Sequence, residues 1–139
     1  MNVLFFLTPK SETSYLDQNC TVRQALEKMD HHKFTVIPLL NKKGAFVSTI
    51  TEGDILRYIK NYEGFNLENA HEVKLSKILR YRPYKSLSID SSLEEIVELS
   101  MHQNFIPIVD DRNVYIGIIK RKDVISFLYK KFLEKNGNE

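Results

Sequence analysis

Cysteine is nearly absent from this 139-residue chain: Cys20 stands alone, alongside only 4 histidines. One thiol cannot close an intrachain disulfide, nor can it anchor a Cys-based structural zinc site. Excess charge of either sign is also missing. The 20 Lys plus Arg against 18 Asp plus Glu leave a net charge of +2, too small to predict nucleic-acid binding. Long apolar runs are lacking as well. The run at Val3–Leu7 is cut off by Thr8, Pro9 and Lys10, whereas a secretory signal needs a basic start, a longer apolar core and a cleavage site. No stretch approaches the ~20 apolar residues that cross a bilayer. These absences lead us to expect a soluble, cytoplasmic protein with no nucleic-acid or membrane partner, its thiol kept reduced.

What is present suits a folded domain. Hydrophobic residues make up 42% and charged residues 27%, an ordinary globular balance that argues against disorder. A chain of this length buries roughly two-thirds of its unfolded surface and needs no staple.

The chain is written twice. Phe34–Asn41 lies over Gln103–Asp110, and Ala45–Leu56 over Val114–Ile125, both at an offset of 69. Upstream, Thr21–Leu26 lies over Ser92–Val97 at an offset of 71, so the second copy is two residues shorter between its helix and its first strand. Each copy of about 60 residues reads as helix–strand–strand–helix. Thr21 and Ser92 suit helix caps, followed at helical spacing by Val22, Ala25, Leu26 and Met29, or by Leu93, Ile96 and Val97. Two β-branched and aromatic runs follow, joined by turns at Asn41–Gly44 and Asp110–Asn113. The second helices present Ile55, Leu56 and Ile59, or Val124, Ile125, Phe127, Leu128 and Phe132, as their apolar faces. Short strands at Val3–Leu7, near Tyr15–Leu16 and near Ser86–Ile89 are expected to extend the sheets. We expect residues 1–62 to form the first repeat with an amino-terminal strand, 63–76 a linker, and 77–139 the second repeat with a carboxy-terminal helix.

Ile37-Pro38-Leu39-Leu40-Asn41 and Ile106-Pro107-Ile108-Val109-Asp110 match the pattern hydrophobic-Pro-Val-Val-Asp. Ile50-Thr51-Glu52-Gly53-Asp54 and Gly117-Ile118-Ile119-Lys120-Arg121-Lys122-Asp123 match Gly-hydrophobic-hydrophobic-Thr-x-x-Asp. In this order and duplicated, they make the chain resemble a tandem pair of cystathionine-β-synthase (CBS) domains across roughly residues 9–130. The resemblance implies an α+β fold of two β-α-β-β-α repeats packed through their sheets with pseudo-twofold symmetry. It also implies two clefts for adenosine-containing ligands such as AMP, ADP, ATP, S-adenosylmethionine or cyclic di-AMP, and pairing into a homodimer.

Thr51-x-x-Asp54 has two physical readings. Its spacing is that of a capping box, which satisfies orphan amides at a helix start. The same place presents a positive dipole end to phosphate, a hydroxyl that donates to phosphate oxygen, and a carboxylate suited to both ribose hydroxyls. The resemblance assigns these ligand roles to Thr51 and Asp54. In the second copy Asp123 keeps the carboxylate while Lys120 replaces the hydroxyl, so charge from Lys120, Arg121 and Lys122 can serve a phosphate, or form a solvated basic turn. The resemblance further implies that Thr35-Val36 and Asn104-Phe105 frame the base. It places Thr8–Tyr15 and Arg80–Lys85 as closing loops, where Lys10, Arg80, Arg82 and Lys85 are possible phosphate contacts or simply solvent-exposed. Tyr81 and Tyr84 either stack on a base or pack against the linker.

Other chemistry is not supported. His31 and His32 are adjacent and expected to point apart on a helix, and no metal-ligand set is expected. No nucleophile–His–Asp arrangement or Gly-rich phosphate loop stands out, so neither a catalytic residue nor a catalytic cofactor is expected. Cys20 either has a thiol activated by a helix start or is inert and partly buried. Tyr129–Lys135 suits a helix packing on the body or on a second subunit. The expected function is a non-enzymatic regulatory module that binds an adenosine-containing nucleotide and signals to an effector protein. The alternatives are a ligand-free dimerisation or protein-interaction module and a cyclic di-AMP receptor.

Overall fold

The computed structural model describes residues 2–137. In chain order the elements are β1 (Leu7–Pro9), β2 (Leu16–Asp17), α1 (Val22–His32), β3 (Val36–Leu40), β4 (Phe46–Thr51), α2 (Glu52–Asn61), β5 (Leu87–Ser88), α3 (Leu93–Ser100), β6 (Phe105–Val109), β7 (Tyr115–Lys120) and α4 (Arg121–Gly137). They form two compact units, one spanning Ser14–Tyr84, the other joining the residues up to Thr13 with those from Lys85 onward. After β1, each repeat runs β-α-β-β-α.

In the first unit the sheet order is β2-β3-β4, with β2 parallel and β4 antiparallel to β3. The alternating register Ile37↔Ile50 and Leu39↔Ser48 sets the pleat, and Ile37, Leu39 and Ile50 are fully buried. Thr21 caps α1 with a complete capping box to Gln24, which aims Val22, Ala25 and Met29 into the core with Ile55 and Leu75. α1 ends where Lys33 adopts φ 59° and the Phe34 amide closes onto the Met29 carbonyl at 3.0 Å.

The segment expected to be a linker belongs to this core. Residues Leu67–Glu72 form a 3-10 helix started by an Asn66–Asn69 capping box, and Ala70, Leu75 and Ile78 are buried. The Val22 and Leu75 amides donate to the Val73 and Cys20 carbonyls. The compact unit that holds this core thus runs past residue 62, to Tyr84.

The second unit repeats the design with the sheet order β1-β7-β6-β5. β5 is parallel to β6, and the β6–β7 register is that of β3–β4 moved by 69, including the irregularity at Ile108/Val109 that matches Leu39/Leu40. The amino-terminal strand, expected with the first repeat, pairs here instead: Leu7, Thr8 and Pro9 lie antiparallel against Ile119, Ile118 and Gly117. Gly117 permits this approach. Its φ is +151°, and a Cβ there would lie 2.2 Å from the Thr8 carbonyl oxygen. The strand is also later than expected. Val3–Phe5 is a 3-10 turn capped by the Asn2 side chain, because Val3 and Phe6, three residues apart, enter the core together.

Two further expectations change. Of the apolar faces, Ile55 and Val124 are buried, but Leu56, Ile125, Leu128 and Phe132 are exposed. The His31 and His32 rings do not point apart; they meet edge to face at 4.7 Å.

Candidate functional site

β4 ends at Thr51 and α2 starts at Glu52, and this junction makes a capping box. The Thr51 hydroxyl accepts from the Asp54 amide at 2.9 Å, and Asp54 Oδ2 accepts from the Thr51 amide at 3.0 Å. Asp54 Oδ1 accepts from the Tyr81 amide at 3.2 Å, and Arg57 Nη1 stands 3.9 Å from it. Asp54 is thus buried with both oxygens engaged, and a carboxylate retains further acceptor capacity in that state. The Arg57 guanidinium lies over the Tyr81 ring, 4.6 Å from its centroid. Together with Gly53 and Arg82, these residues line a cavity of about 450 Å³.

The matching junction in the second unit differs. Asp123 lines a cavity of about 330 Å³ with Ser126, Lys130 and the amino-terminal residues Phe5–Thr8. Among the described residues its carboxylate has no hydrogen bond or ion pair. Lys120, in the place of Thr51, is exposed and has no acceptor atom with which to cap. The two cavities are counterparts. Asp54 and Arg57 correspond to Asp123 and Ser126 at the offset of 69, and each helix start faces a segment that precedes the first helix of a repeat.

The remaining expected residues are dispersed. Thr35 and Asn104 act through their carbonyls, which accept from the Glu52 and Arg121 amides at 3.0 and 2.9 Å and tie each first strand to the following helix. Beside them, Val36 and Phe105 are half-buried. Arg82 lines the Asp54 cavity, whereas Arg80 and Lys10 are half-buried outside both cavities. Lys85 and Lys122 are exposed. Arg121, expected as a phosphate contact, has its Nε committed to the Ser100 and Gln103 carbonyls at 2.7 and 3.1 Å. Tyr81 is half-exposed under Arg57, and the Tyr84 amide donates to the buried Thr49 hydroxyl at 2.8 Å.

Two participants were not anticipated. Arg57 falls one helical turn after Asp54, a spacing that puts both on one face. Gln103, almost fully buried, accepts from the Lys85 amide at 2.7 Å and donates to the Lys85 and Phe105 carbonyls; the shortened connection in the second copy marks the place but not the residue. Cys20 follows the inert reading: burial, reinforced by Asp17, pushes its thiol up to about 11. A larger cavity, about 660 Å³, lies between α1 and α2, but Leu26, Met29, Ile55, Leu56, Ile59 and Leu67 make it chiefly apolar, unlike the helix-start cavities.

The CBS domain model matches residues 10–61 and 76–130. Among curated proteins, a homoserine O-acetyltransferase of Methanohalophilus mahii is 30% identical over 120 residues, which is 86% of this chain and 23% of that protein. The chain spans less than half the length of the curated relatives it matches. Among solved structures, CbpB in complex with c-di-AMP has a TM-score of 0.88 at 16% identity, covering 100% of this chain and 91% of that one. CBSX2 in complex with AMP has a TM-score of 0.73 at 21% identity, covering 93% and 96%. At these identities the likeness is one of fold. No helix among the described residues is long and apolar enough to cross a membrane.

Proposed function

The chain belongs to the CBS-domain family, with both repeats matched, and on that premise we propose that it is a non-enzymatic regulatory module for an adenosine-containing nucleotide. The ligand binds at the start of α2, of α4, or of both, and its occupancy is signalled to an effector protein. The observation that carries this reading is the pair of helix starts, each with an aspartate on a cavity, in two repeats whose neighbouring residues differ. A carboxylate accepts from two ribose hydroxyls, and a helix start favours the attached phosphate. CbpB with c-di-AMP and CBSX2 with AMP share the fold, and both ligands belong to this class.

Melting in the presence of AMP, ADP, ATP, cyclic di-AMP or S-adenosylmethionine tests the proposal. A ligand at ~100 times its dissociation constant stabilises the folded state by about 2.7 kcal/mol, which raises the melting temperature by several degrees. No shift with any of them at millimolar concentration sinks the reading.

A second reading has an observation of its own. Ile125, Leu128, Tyr129, Phe132 and Leu133 form an exposed stripe at helical spacing along α4, the face of a helix that packs on another. A second copy of the chain supplies an identical stripe, so we assign it to a homodimer, which nucleotide binding does not exclude. A charge at Phe132 should leave a species of half the mass in light scattering; unchanged mass removes the assignment.

A further inference from the structure

Taking the ribose role of Asp54 as its starting point, we propose that Arg57 is a swinging guanidinium which, with Arg82, makes the α2 cavity selective for ribonucleotides bearing a phosphate over the neutral nucleoside. Three observations converge on Arg57. Its side chain is half-exposed, and its Nη1 approaches Asp54 Oδ1 only to 3.9 Å, outside hydrogen-bond distance. Its other contact is the exposed face of Tyr81, an interaction of modest strength at such a site. Gly53 leaves it room, since a Cβ there would stand 3.2 Å from Nη1.

Arg57 therefore neutralises a buried carboxylate through contacts weak enough to exchange. When ribose hydroxyls donate to Asp54 Oδ1, their hydrogen bonds take the place of that long contact, and the guanidinium is released into the same cavity to pair with the phosphate. Arg82 lines it too and has no ion pair among the described residues. Two guanidinium groups beside a helix start recognise a phosphate by charge-assisted hydrogen bonds. A neutral nucleoside displaces Arg57 without giving it a new partner. The second unit has no such device, because Ser126 stands where Arg57 does.

The test is a titration of the full chain, followed through the backbone amide resonances of Gly53 and Tyr81, which report this cavity and not its counterpart. The probes are AMP, 2′-deoxy-AMP and adenosine. AMP should move both resonances at concentrations about tenfold or more below adenosine, the value of one or two charge-assisted contacts. Arg57→Gln and Arg82→Gln should each weaken AMP by about tenfold while adenosine binding holds or tightens, and Arg57→Lys should restore part of the difference. Equal affinity for AMP and adenosine in the parent chain overturns the proposal, as does an equal loss of both ligands in Arg57→Gln. A weaker response to 2′-deoxy-AMP in those same cases keeps the ribose reading standing. If 2′-deoxy-AMP matches AMP while the arginine effects persist, the ribose reading falls and the arginine pair stands as a phosphate site. No movement with any probe at millimolar concentration removes both.

Discussion

The two units share one register and one strand irregularity, yet they differ where the chain meets their edges. In the first unit Ser48 occupies the position of Gly117, and no strand among the described residues pairs beyond β4. In the second, Gly117 admits β1. α1 turns out through a left-handed Lys33, whereas the shorter connection after α3 leaves carbonyls that Arg121 and Gln103 must satisfy with side chains. Asp54 is built into its cap, but Asp123 is not. The comparison teaches that the pleated pairs tolerate repetition unchanged, because register follows from which residues face the core. Connections and edges are re-solved locally, by whichever side chain satisfies the exposed backbone.

The contrast breaks most severely at Gly117. Gly117→Ala forces a Cβ against the Thr8 carbonyl at a φ of +151°, so β1 must detach. The expected cost is about 3 kcal/mol, combining backbone strain with lost strand pairing, measured as a lower urea midpoint. Ser48→Gly, at the matching position, should cost under ~1 kcal/mol. Equal losses in the two variants would mean that β1 does not depend on Gly117.

Gln103 comes next. Gln103→Ala leaves the Lys85 amide and the Lys85 and Phe105 carbonyls without their side-chain partner in a buried position, and should cost about 2 kcal/mol. Its counterpart Phe34 is exposed, and Phe34→Ala should cost under ~1 kcal/mol. If urea unfolding puts the two on a par, side-chain satisfaction of the shortened connection is not what distinguishes the units.

The aspartates differ by a smaller margin. Asp54→Ala removes a cap and the acceptor of the Tyr81 amide, about 1–2 kcal/mol. Asp123→Ala removes no bond among the described residues and should stay within ~0.5 kcal/mol; under the proposed function, each substitution should also lower nucleotide affinity at its own cavity. Asp123→Ala matching Asp54→Ala in urea would show that Asp123 is structural too.

How far the sequence was legible follows the same division. The paired Ile37-Pro38-Leu39 and Ile106-Pro107-Ile108 runs and the Thr51-x-x-Asp54 box carried the repeat, the strands and one complete cap, because period-2 burial and capping are local. Val3–Leu7 misled because a short apolar run suits a strand or a buried turn equally. Residues 63–76 looked like a linker because Ala70 and Leu75, isolated among polar residues, reveal burial only through the partners they meet. Gln103, Arg121 and the contact of Arg57 with Tyr81 depend on residues far apart in sequence, which no local pattern displays.

Cys20 offers the finest test of the difference, since Ser91 stands at its place in the second repeat at the offset of 71. Burial raises its folded pKa from 9.0 to about 11. A thiol with a raised folded pKa holds its proton more tightly in the native state than in the unfolded one. Its contribution to stability is therefore complete below pH 9.0 and is lost as the pH climbs to about 11. Cys20→Ser removes the ionisation, so the variant should lose less stability than the parent across that window, and the gap should close below it. The loss should be read as faster amide exchange in the first unit, where Cys20 packs against the core that includes Leu16 and Leu75, with the second unit unaffected. Every other side chain is common to both proteins and cancels in the difference. A parent and variant that lose stability in parallel from pH 9 to 11 would mean that the thiol ionises in the folded chain as readily as in the unfolded one, and that its burial does not distinguish the first unit.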